Sequence, residues 1–103
     1  MSASFSYKIT TENEQFTFDF SPVLGSTETI STAVCTVEVK EGTDPSPSSI
    51  LVGSASISGT KAIQRIYNGL DGVIYRLEMT ITTSLSNTYT IVADLQVLSP
   101  INV

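Results

Sequence analysis

Histidine and tryptophan are absent from this 103-residue chain, and cysteine occurs once. Without histidine there is no Ser-His-Asp or Cys-His arrangement and no imidazole metal ligand. A single cysteine can build neither a thiolate zinc site nor an internal disulfide. No phosphate-cradling glycine loop occurs, since NGLDG at 68–72 is a turn sequence. Basic residues are scarce: five Lys and Arg stand against ten Asp and Glu, giving a net charge of −5 and a pI near 4.3. Such a surface repels phosphates, which argues against nucleic acid as a direct ligand. No apolar run approaches the roughly 18–20 residues of a spanning helix, so no membrane partner is expected. The opening MSASFSYKITTENEQ lacks the basic start and apolar stretch of a signal peptide.

What is present suits short strands with one wet face. Hydrophobic residues make up 41% and charged residues 15% of the chain, and Ser and Thr fill much of the rest. The length predicts one domain over residues 1–103, with an N-terminal arm or hairpin over about residues 1–20 and a short tail at 99–103.

Period-two alternation recurs along the chain. Phe5, Tyr7 and Ile9 share one side of a first extended segment, and Phe16, Phe18 and Phe20 share one side of a second. TTENE between them has turn chemistry, so the pair reads as a hairpin, or one of the two as an edge strand added to a neighbouring subunit. Pro22 and Gly25 interrupt the pattern before Ile30 to Lys40 resumes it, with Ala33, Cys35, Val37 and Val39 on one face. EGTDPSPSS at 41–49 is an exposed loop by composition. Ile50 to Ile57 and Lys61 to Tyr67 follow as two strands joined through Ser58-Gly59-Thr60, with Ala62, Gln64 and Ile66 on one face of the second. Val73 to Thr83 then alternates Val73, Tyr75, Leu77, Met79 and Ile81, and Thr88 to Leu98 returns a matching stripe before Pro100 ends the pattern.

About seven strands at intervals of about ten residues, with no helix, predict an all-β, immunoglobulin-like antiparallel sandwich without an internal disulfide. DGVIYRL fits that class: Asp71, Gly72 and Tyr75 stand where such folds place a tyrosine corner, the hydroxyl bonding nearby backbone. Leu77 fills the core position where an extracellular domain has half of a disulfide, and Cys35 is expected as its cross-sheet neighbour. With no histidine to activate it and Lys40 as the nearest lysine, Cys35 reads as a small buried hydrophobe.

The remaining candidate chemistries are thin. Asp71 with Asp44 or Glu41 would be the pair for glycoside hydrolysis, but no spacing supports it. The same loop acids offer weak Ca²⁺ ligands at most, without an EF-hand pattern. The Phe16, Phe18 and Phe20 stripe suits a core better than a sugar platform. No catalytic residue, metal or cofactor is expected.

ETISTAVCTVEV, followed by ILVGSASISGTKAIQRIYNGLDGVIYRLEMTITTS, resembles a family of small, immunoglobulin-like virion proteins of tailed bacteriophages, described as fibre-tail adaptors or head-to-tail joining proteins. The likeness covers about residues 15 to 98. It rests on the turn and strand from Leu24 to Ile30, the Ser/Thr/Pro loop, the corner from Asn68 to Tyr75 with its Gly-x-x-Tyr, and the two closing strands. Two departures stand out: many relatives have Trp where this chain has Val34 or Cys35, and two adjacent glycines where it has Asn68-Gly69. The resemblance implies a non-enzymatic virion protein, made in the bacterial cytoplasm, that joins tail or neck ring proteins to fibres in several symmetric copies. On that reading contacts are expected at Phe5, Tyr7 and Ile9 of the arm, Val23 and Leu24, Asp44, Pro45 and Pro47, and Ile101 and Val103 of the tail. The alternatives are a capsid decoration protein and a carbohydrate-binding module for host glycans.

Overall fold

The computed structural model describes residues 2–102, so the expected contact at Val103 lies outside the described residues. Its strands are β1 (Ser2–Ser4), β2 (Lys8–Ile9), β3 (Asn13–Asp19), β4 (Ile30–Glu41), β5 (Leu51–Ser58), β6 (Lys61–Tyr67), β7 (Ile74–Thr83) and β8 (Thr88–Leu98). A 3-10 turn at Pro47–Ile50, begun by proline, precedes β5.

Alternation sets which face each strand buries. In β7 the inward Tyr75, Leu77, Met79, Ile81 and Thr83 are buried, and the residues between them are half covered. Ile91, Ala93, Leu95 and Val97 do the same in β8, while Phe16 and Phe18 of β3, with Phe20 just beyond, fill the core from the other side. Each large apolar side chain so buried contributes about 1.5–3 kcal/mol. A one-residue slip would turn the whole stripe to water, so burial fixes the registers.

Two sheets result. One runs β1-β8-β7-β4, with β2 also on β8, and the other runs β3-β6-β5. β7 is antiparallel to both neighbours, with Leu77 opposite Val37 on β4 and Ala93 on β8. β1 and β2 both lie parallel to β8, from Ser2 opposite Val92 to Ile9 opposite Leu98, and act as one interrupted edge strand. The described residues thus fill seven strand positions in an all-β body of 47 × 22 × 20 Å.

Two expectations are corrected. The first segment makes no hairpin with β3: it crosses to the other sheet and pairs with β8, leaving β6 as the only ladder partner of β3 among the described residues. The reason lies partly in Lys8, which is fully buried although it alternates with Tyr7 and Ile9. Its ammonium donates to the carbonyls of Ile9 (2.8 Å), Thr10 (3.4 Å) and Asn68 (2.7 Å), a site that exists only beside the start of the 68–72 corner. Cys35, for its part, is not in the sheet opposite Leu77; it sits in the same sheet, in register with Met79.

Gln64 is a further buried polar side chain with a structural task. A register shift between Val52 and Ser56 breaks the β5 ladder, and the Gln64 amide donates to the carbonyls of Val52, Gly53 and Arg65 beside it. At the β5–β6 turn Gly59 has φ 60°, the positive value that the first central residue of a type II′ turn requires.

Candidate assembly surfaces

Connections gather at the two ends of the long axis. At one end the segment 21–29 meets the 84–87 turn: Ser84 N–H donates to Thr29 O (2.8 Å), and Thr29 N–H to Ser84 Oγ (3.0 Å). Glu28 locks this end. Although charged it is buried, and it accepts from the Thr83 hydroxyl (2.5 Å), the Asn87 amide (2.8 Å) and Gly25 N–H (3.0 Å). Those donors, the Thr83 hydroxyl foremost, hold its carboxyl below the ordinary carboxylate range. Val23 and Leu24 are half buried here against the core, and Leu85 projects with 62% of its surface exposed.

At the other end the 41–49 loop, the 68–72 corner and the tail come together around Tyr75. The Tyr75 hydroxyl accepts from Leu70 N–H (2.9 Å) and donates to Asp44 Oδ2 (2.7 Å). Burial first, then the Asp44 carboxylate, pushes that hydroxyl up to about 12. Asp44 also accepts from Ser46 N–H (2.9 Å), so its carboxylate is occupied within the fold, while Pro45 is exposed and Pro47 half exposed. Asp71 does not reach the tyrosine: it holds the tail, accepting from Ser99 N–H (2.7 Å) and the Asn102 amide (2.6 Å). Gly72, at φ 80°, donates its N–H to Val97 O (2.8 Å). Leu70 and Ile101 lie outermost, Ile101 at 90% exposure.

The corner also explains one departure from the resembling family. Asn68 and Gly69 both have positive φ, 64° and 105°. Asparagine enters that region more readily than other side chains, so it stands in for a glycine at the first position. Gly69 has no such substitute, because a Cβ there would sit 3.0 Å from Val97 Cγ2.

Of the remaining expected contacts, Phe5 is committed to the interior, stacked edge-on with Phe16 and Phe18 at 4.9 and 5.4 Å. Ile9 is half buried and paired with Leu98, whereas Tyr7 is half exposed. Cys35 is buried, and desolvation raises its thiol to about 11. Among the described residues no three His, Cys, Asp or Glu side chains gather as a metal site. Sequence reasoning missed Lys8, Glu28 and the Asp44–Tyr75 bond. Nothing in the local pattern signals the first two, and the third joins residues 31 positions apart.

Residues 8–96 match the sequence profile of a family described as podophage GP4 fiber-tail adaptor protein gp77. The chain belongs to this adaptor family. No curated protein and no solved structure gives a match. As a member, the adaptor is a non-enzymatic structural component of the phage virion, and joining fibres to the tail means binding other virion proteins. Two recesses, of about 230 and 330 Å³, lie along the strand edges of the adaptor.

Proposed function

We propose that the adaptor is an immunoglobulin-like spacer at the tail or neck that holds a different virion protein at each end. The fold part of this reading is supported by the strand order, β3-β6-β5 against β8-β7-β4, with the first strand moved over to β8, and by the bond from Leu70 N–H to the Tyr75 hydroxyl. The functional part is carried by one observation: the large exposed aliphatic side chains outside the strands fall into two groups at opposite ends, with the Tyr7 ring exposed between β1 and β2. Leu85 lies at one and Leu70 and Ile101 at the other, with β8 running between them over its 11 residues.

An 11-residue strand spans roughly 35 Å, so the two groups cannot meet the same small patch of one partner. A joining protein needs such separation, whereas a cap lying on a shell needs one broad face. Several copies in a ring follow from the symmetry of a tail.

The test is cryo-electron microscopy of the virion, with Leu85→Asp and Ile101→Asp particles beside wild type. Density for the chain at the fibre-tail junction, with each variant loosening a different neighbour, is the expected result. Copies spread over the capsid shell would replace this reading with a decoration role. A chain whose two variants loosen the same neighbour would remove the two-ended arrangement.

A further inference from the structure

Among the described residues the two sheets have four edges, formed by β1 with β2, by β4, by β5 and by β3, and the first three are poor templates for pairing. β1 and β2 are three and two residues long, β4 carries register shifts near both ends, and β5 is broken between Val52 and Ser56. These are recognised ways of blunting an edge. β3 is neither short nor shifted: all seven residues, Asn13 to Asp19, stay in unbroken register with β6, and its protection is charge alone, from Glu14 and Asp19.

The parity of that ladder decides which groups face outward. Phe20 N–H donates to Thr60 O (2.9 Å), one step beyond the Asp19–Lys61 pair. The pairs that exchange hydrogen bonds are therefore Phe18 with Ala62 and Phe16 with Gln64, so Gln15 and Thr17 direct their N–H and C=O away from the sheet. Beside them, where β1 gives way to β2, lies the recess of about 330 Å³ walled by Phe5, Tyr7, Glu14, Phe16 and Thr17. Phe5, partly buried, and Tyr7, half exposed, give the recess an aromatic wall.

Charge selects the occupant. Glu12, Glu14 and Asp19 flank this edge; of the bases near it Lys8 is buried and bonded to carbonyls within the fold, and Lys61 and Arg65 lie one strand further in, Arg65 bonded to Asn13 Oδ1 at 3.1 Å. A second copy pairing antiparallel here would bring both sets of three carboxylates together, which repels it.

We propose that the β3 edge receives an extended, basic segment of a partner virion protein as a fourth strand, with one apolar side chain seated in the recess beside Phe5 and Tyr7. The inference rests on the adaptor reading and names the chemistry of one of its partners. Such strand addition draws affinity from main-chain bonds and specificity from the seated side chain.

The test uses phage carrying Thr17→Pro or Glu14→Lys, read as copies of the adaptor per particle, together with the wild-type particle map. Thr17→Pro removes the outward N–H and leaves the β6 ladder intact; Glu14→Lys reverses the charge at an exposed position within the field of the buried Lys8 and, once shown to fold, decides the matter if the proline variant does not. The expected result is a loss of about tenfold or more in incorporation for either folded variant, with a strand of another protein lying against β3 in the map. Wild-type incorporation of both variants would overturn the proposal. So would a map placing the chain at the junction with the β3 edge bare, and that result would leave the adaptor role standing. A chain found elsewhere in the particle would instead count against the two-ended reading, and the proposal would then be settled by whether a strand adjoins β3.

Discussion

Tyr75 ties three segments that are distant in sequence. Its own strand positions it, Leu70 in the preceding corner donates to it, and Asp44 in the 41–49 loop accepts from it. Replacing it with Phe keeps the ring in the core and leaves both partners without their bond, which should cost about 1–3 kcal/mol in urea unfolding at neutral pH. An unchanged midpoint would mean that water replaces the hydroxyl without loss. Alkaline pH makes a second, independent check. The hydroxyl sits near 12 in the folded chain against 10.0 for the free side chain, so the unfolded chain releases this proton first. The associated stability is intact below about pH 10 and is lost as pH rises toward 12, and Tyr75→Phe should flatten that limb. The tyrosine was legible in DGVIYRL because its offset from Leu77 falls within one strand. Its acidic partner was not: Asp71 is the nearer acid in sequence, and only the folded path of the 41–49 loop brings Asp44 to the hydroxyl.

The strands were readable wherever one face is buried and the other wet, as in β7 and β8, whose bounds lie within a residue of those expected from alternation. The partner of the first segment was not readable, because Phe5, Tyr7 and Ile9 alternate in the same way whether they join β3 or β8. Parallel pairing across some 90 residues of chain leaves no local mark. The consequence can be tested by truncation. The first nine residues supply the Phe5 ring over Phe16 and Phe18, the Phe5 N–H bond to Asp94 O, and the buried Lys8 ammonium bonded to Asn68 O. Removing them uncovers part of the core and frees the edge of β8, so the truncated chain should lose at least about 2 kcal/mol of stability. An equilibrium unfolding midpoint equal to that of the full chain would show that these residues form a detachable arm, open to exchange with a neighbour. A folded but weakened chain is the outcome expected of an integral edge strand.

Acid should destabilise the molecule through three carboxylates spread over it. Glu28 is held low chiefly by the Thr83 hydroxyl, Asp19 by Ser21 N–H, and Asp94 by Lys40, with Arg76 also bonded to it. Each binds its proton more weakly in the folded chain than in the unfolded one. Their contribution is therefore present above the ordinary values of 4.5 for Glu and 3.8 for Asp, and it disappears as pH falls through the lower folded values. The pI near 4.3 lies in the same window, so the net negative charge that keeps copies apart vanishes as the fold weakens. Glu28→Gln separates the two effects, since it removes one titrating group while changing the net charge by a single unit. Urea unfolding between pH 7 and 3, followed by far-ultraviolet circular dichroism because the chain has no tryptophan, should show Glu28→Gln less stable than wild type at pH 7 and less steeply dependent on pH below 5. Because Glu28 holds the 21–29 segment to the 84–87 turn, the same variant should loosen the end that carries Leu85 and leave the end that carries Ile101 intact. Hydrogen exchange that speeds up equally at both ends would refute that separation.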